Sequence, residues 1–135
     1  MAGVDTNVLV RVLTADDSTQ SDQARQLLRR AEHRGERLYV PLTVTLELEW
    51  VLRSFYRYGK DQVLAALSSL LATRELEFQN EPVVEDALGT YQQNRVDFAE
   101  CLHLACAASA NQWPLFTFDR SAARIQGMQF IGSPA

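Results

Sequence analysis

The chain has 135 residues, of which 47% are hydrophobic, 9% aromatic and 22% charged, a profile that excludes disordered, collagenous and low-complexity classes. That length predicts a single domain over residues 1–135, since two domains would each be marginal. The formal net charge of −4 excludes binding of nucleic acid or membrane through bulk basicity, so any nucleic acid must meet a local basic patch.

Residues 2–4 form a short apolar run ending in Asp5, and residues 6–13 continue with apolar side chains on both faces, which reads as a buried strand running into a helix. From 18 to 34, Ala24, Leu27, Leu28 and Ala31 keep helical spacing, with Arg25, Arg29, Arg30 and Arg34 as a basic flank. This flank reads as a solvated face, with RNA backbone or an acidic partner segment as alternatives. Residues 38–40, bounded by Pro41, form the next strand. Thr43 or Thr45 can cap a helix whose Val44, Leu48, Val51, Leu52 and Phe55 make one stripe ending near Gly59. Residues 61–72 carry Val63, Leu64, Leu67, Leu70 and Leu71 at helical spacing, and 76–78 is a short strand. Val83, Val84, Ala87, Leu88 and Tyr91 mark another helix and 97–110 the next. A strand at 115–118 ends at Asp119, and 129–131 is a final edge strand.

This alternation implies an α/β fold with a mostly parallel central sheet of four to five strands and helices on both faces. Cys101 and Cys106 stand five apart in a predicted helix, roughly 8 Å between Cα atoms, too far to bridge. They read as small buried thiols of a reducing compartment. No secretory leader is read, since Asp5 follows almost at once. The uncharged run 101–118 is broken by His103, Asn111, Gln112 and Pro114, so a soluble cytoplasmic protein is expected.

In parallel sheets ligands bind beyond the carboxyl ends of the strands, where Asp5 and Asp119 both stand. Glu47 lies about 60° off its helix's apolar stripe, and Glu100 is the only charged residue between Asp97 and Asp119. Acids gathered at one edge repel unless neutralised, and the role that suits them best is holding Mg²⁺ or Mn²⁺ through oxygen and water. Simpler readings stand beside this one. Asp5 and Asp119 can be plain N-caps, Asp97 with Glu100 resembles a capping box, and Glu47 can pair with Arg53. His103 reads as a hydrogen-bonded core residue, and Trp50 and Trp113 as packing residues.

Four segments carry a family likeness: VDTNVLVRVL at 4–13, VPLTVTLELEWVLRSFY at 40–56, VDFAECLHLACA at 96–107 and LFTFDRSAARIQG at 115–127. Their order and separation resemble PIN-domain ribonucleases of the VapC toxin type. The resemblance implies a PIN-like three-layer α/β/α fold and a toxin that hydrolyses RNA phosphodiester bonds with Mg²⁺ or Mn²⁺. By position it implies Asp5, Glu47, Glu100 and Asp119 as metal-binding and catalytic acids, Asp97 as a further acid, and Asn7 and Thr117 as supporting polar residues. It also implies a homodimer and a small DNA-binding antitoxin as partner, with no membrane. Where that family usually has Asp, this chain has Glu100, one methylene longer.

Three other classes compete with this one. A phospho-accepting receiver domain would need a Lys after a late strand, whereas the only Lys is Lys60, in mid-chain. A haloacid-dehalogenase-like phosphatase would need Asp where Asn7 stands. A non-catalytic binding module on the same fold stays open, separated from the enzyme by an assay of RNA cleavage.

Overall fold

The computed structural model describes residues 1–132. They form two compact units, Met1–Glu81 and the residues from Pro82 onward.

In the first unit, Gly3 makes a parallel bridge to Tyr39, and the strand β1 (Leu38–Val40) pairs in parallel with β2 (Leu76–Phe78) in the register Leu38↔Leu76, Tyr39↔Glu77 and Val40↔Phe78. The unit has four helices beside these strands in the chain: α1 (Thr6–Leu13), α2 (Ser18–Arg34), α3 (Leu42–Ser54) and α4 (Lys60–Leu71). Helix α1 packs on α2 and α3, α3 on α4, and α4 on β2. Leu9, Val10, Val40, Leu48, Leu52, Val63, Leu67 and Leu70 are almost wholly buried and make the core. Each such burial contributes roughly 1.5–3 kcal/mol. Both ends of α2 have local causes. Asp17 accepts a hydrogen bond from the Gln20 N–H at 3.0 Å at its start, and Gly35 takes the left-handed conformation (φ 64°) at its end.

In the second unit, α5 (Glu81–Gln93) buries Val83, Val84, Ala87, Leu88 and Tyr91, the five positions its spacing singles out. Helix α6 (Phe98–Ser109) packs on β3 (Leu115–Thr117), which pairs in parallel with β4 (Met128–Phe130) from Leu115↔Met128 to Thr117↔Phe130. Tyr91 meets Phe98 edge-to-face at 5.7 Å between centroids. Leu104, Ala122 and Met128 form a small core with Val96, Leu115 and Ile125 around it. Among the described residues the pairing is wholly parallel, as expected, but the strands are three residues long and lie in two separate pairs plus the Gly3 bridge. Cys101 is buried and Cys106 half-buried, the two unbridged as expected, and burial pushes the Cys106 thiol up from its ordinary value.

Several expectations for individual residues are corrected. Neither Thr43 nor Thr45 caps α3. The helix starts earlier, at Leu42 after Pro41, whose ring-fixed φ of −59° suits a helix entrance. The Leu42 N–H donates to Gln79 Oε1 at 2.8 Å, so a side chain from beyond β2 supplies the cap. Phe55 leaves the apolar stripe and is 73% exposed, and Glu49 is buried on the helix instead, paired with Arg53 at 2.8 Å. It is Glu49, not Glu47, that takes Arg53. Trp50 and Trp113 are more than half exposed, and His103 is an exposed residue of α6 rather than a core histidine.

Candidate functional site

The chain leaves its first strand segment at Val4, whose N–H donates to the Tyr39 carbonyl at 2.9 Å, and turns at once into α1. Asp5 is the N-cap. Its backbone is extended (φ −94°, ψ 179°) and its Oδ1 accepts from the Val8 N–H at 3.3 Å. One strand over, β1 ends at Val40 and α3 begins two residues later. Both turns stand at carboxyl ends of parallel strand segments, so α1 and α3 bring their first turns together.

Glu47 sits in the second turn of α3, and the Thr6 hydroxyl donates a hydrogen bond to its Oε1 across 41 residues of sequence. Thr6 is buried whereas Asp5, Asn7 and Glu47 are exposed, so a buried hydroxyl holds an exposed carboxylate. Asp5, Thr6, Asn7, Glu47 and Val51 line one open pocket of about 170 Å³. Three of the residues singled out from the sequence, Asp5, Asn7 and Glu47, therefore share a pocket. Thr6 is the pocket residue that sequence reasoning passes over, and its place between Asp5 and Asn7 at the first helical position is the signal that could have marked it.

In the second unit Asp119 is placed by local means. Asp119 follows β3, and its Oδ1 accepts from the Ser121 N–H at 2.8 Å and the Ala122 N–H at 3.1 Å. Its own N–H donates to Thr117 Oγ1 at 3.0 Å. Asp97 is the N-cap of α6, yet its side chain makes no capping hydrogen bond, so the capping-box reading loses its first half. Glu100 is half-buried in the first turn of the same helix.

Asp5, Glu47 and Asp119 share a feature. Each commits one carboxylate oxygen to a protein donor, and among the described residues the second oxygen accepts no hydrogen bond, which leaves it to a ligand or water. The capping reading is thus correct for Asp5, the N-cap of α1, and compatible with ligation, whereas Asp119 is not a helix N-cap: it closes a local turn, and the short 3-10 helix Ala122–Arg124 that follows has Ser121 at that position. Among the described residues, no group of three or more His, Cys, Asp or Glu side chains is arranged to hold a metal by itself. The first-unit pocket nevertheless fits a hard divalent cation, because Mg²⁺ is ordinarily held by one or two carboxylates with water and substrate phosphate completing its shell. Its donors are carboxylate, hydroxyl and amide oxygens, without the thiolates and imidazoles that favour zinc.

No helix of the described residues is long and apolar enough to cross a membrane. A family model described as PIN domain matches residues 3–128. Among curated proteins, the VapC ribonuclease of Aquifex aeolicus (strain VF5) is 23% identical over 99 residues, covering 73% of this chain and 73% of that protein.

Proposed function

The chain belongs to the PIN-domain family, and on that premise we propose that it is an Mg²⁺- or Mn²⁺-dependent endoribonuclease, the toxin of a toxin–antitoxin pair, acting as one domain. The observation that carries this reading is the pocket that Asp5 and Glu47, carried by the helices that follow two neighbouring strand segments, line together with Asn7. Similarity to a VapC ribonuclease supports the RNA substrate and the toxin role.

Asp5 and Glu47 would hold the metal at this pocket, and positional likeness extends the metal-binding and catalytic assignment to Asp97, Glu100 and Asp119. When bound, the ion supplies a Lewis acid for the scissile phosphate and lowers the pKa of water. The chain's own residues supply placement. Thr6 fixes the rotamer of Glu47 by donating to Oε1, and the Val8 N–H fixes Asp5. Asn7 offers an amide to a phosphate oxygen, and Thr117 orients the backbone that carries Asp119. Such positioning converts binding into rate because the ligands need not reorganise as charge develops. A homodimer, a small DNA-binding antitoxin and a cytoplasmic location complete the proposal.

Purified protein incubated with labelled RNA tests it. Cleavage is expected with Mg²⁺ or Mn²⁺, to cease in excess EDTA and to return when metal is restored. Full cleavage in EDTA by protein freed of contaminating nuclease refutes metal dependence. No cleavage of any RNA under any metal leaves the fold as a binding module.

A further inference from the structure

A second depression in the first unit runs between α1 and α2 and encloses about 340 Å³. Asn7 and Arg11 of α1 line it together with Gln20, Gln23 and Arg30 of α2, over an apolar floor that includes Leu27. Its lining contains two guanidinium groups and three amides but no carboxylate, in a chain whose net charge is −4. Asn7 lines both this groove and the pocket of Asp5 and Glu47, so the two adjoin.

The two arginines differ in freedom. Arg11 is held by Gln20 Oε1 at 2.7 Å, Asp16 Oδ1 at 3.0 Å and the Tyr56 hydroxyl at 3.2 Å. Arg30 is exposed and forms no ion pair with a carboxylate among the described residues. On α2, Gln23, Leu27 and Arg30 follow one another at spacings of four and three and so share a face, whereas Arg25 lies on the opposite side. A carboxylate-free, amide-lined groove with one fixed and one free guanidinium suits an oxyanion chain, since arginine forks match phosphate oxygens and amides add neutral hydrogen bonds.

We propose that the α1–α2 groove binds the phosphodiester backbone of single-stranded RNA next to the bond that is cut, with Arg11 and Arg30 on phosphate oxygens. The inference rests on the ribonuclease reading above and adds the path of its substrate. Continuity with the acid pocket through Asn7 favours RNA over an acidic peptide, because a backbone engaged at that pocket has its next phosphates at the mouth of the groove. Contacts of this kind set position and affinity and carry no sequence information.

The test separates binding from cleavage. Anisotropy of a fluorescein-labelled single-stranded RNA of about 20 nucleotides is followed in EDTA across a salt series, and kcat and KM are measured in Mg²⁺, for wild type, Arg30→Glu and Arg25→Glu. In Arg30→Glu, Kd and KM should rise about tenfold and the slope of log K against log salt should shrink by about 0.7, with kcat near wild type. Arg25→Glu, an equal change of charge on the other side of the helix, should stay within about twofold on the same electrostatic scale. Equal losses in both variants overturn the groove, as does wild-type affinity in Arg30→Glu while cleavage persists, a result that leaves the ribonuclease reading standing. Binding of polyglutamate that depends on Arg30 without such dependence for RNA also overturns it. Arg30-dependent RNA binding by a wild type that never cuts supports the groove and refutes the ribonuclease reading.

Discussion

The two units hold their acids by different physics. In the first, Glu47 is fixed by a hydroxyl 41 residues away, and the far end of the same helix pair is tied again where Tyr56 donates to Asp16 at 2.8 Å and accepts from Arg11. In the second, Asp119 is fixed by N–H groups two and three residues on and by the hydroxyl two residues before, while the Asp97 side chain makes no capping bond. A site anchored across the fold transmits any slip between α1 and α3 to its carboxylate. One anchored within a turn keeps its geometry as long as that turn forms.

Activity should be where this contrast breaks down, because ligation asks the same of every acid. Asp5→Asn, Glu47→Gln and Asp119→Asn each preserve shape and remove a charge, and each should lower the cleavage rate by about a hundredfold or more. Rate assays in saturating Mg²⁺ beside thermal unfolding curves check this, and a variant that keeps wild-type cleavage leaves the catalytic set. Amides cap nearly as well as carboxylates, so thermal midpoints should hold steady at Asp5.

The threonines sharpen the contrast. Thr6→Val keeps volume and removes the donor to Glu47, leaving a carboxylate free to swing, so the rate should fall about tenfold with a raised Mg²⁺ requirement and Thr6→Ser should recover most of it. Thr117→Val removes only an acceptor for the exposed Asp119 N–H, which water replaces, so about a twofold effect is expected. Metal titrations of all three variants decide it. An equal loss from Thr6→Val and Thr117→Val erases the distinction between long-range and local anchoring.

The smallest effect is on stability. Hydrogen bonds from the Thr14 hydroxyl and then from Tyr56 hold the Asp16 carboxyl below its ordinary value of 3.8, with Arg11 adding charge attraction. A carboxyl depressed on folding contributes stability that is present above its unfolded pKa and lost as pH falls through its folded one. Wild type should therefore lose thermal midpoint more steeply below pH 3.8 than Asp16→Asn does. Parallel slopes in a pH series of unfolding curves would detach Asp16 from the acid response.

Much of this was legible along the chain. The bounds of α2, β1 and β2 followed from period and punctuation, because Asp17, Gly35 and the short apolar runs of the strands act on their own neighbours. The family blocks marked Asp5, Asn7 and Glu47, and the structure brought those three to one pocket. Other features depended on partners far away in sequence. Gln79 moved the start of α3 from the threonines to Leu42, and Arg53 turned to Glu49 instead of Glu47. The Thr6 hydroxyl found Glu47 only because two helices leave adjacent parallel strands. Periodicity and capping fix backbone states within a few residues, while a hydrogen bond between α1 and α3 exists only after β1 has set the spacing between them.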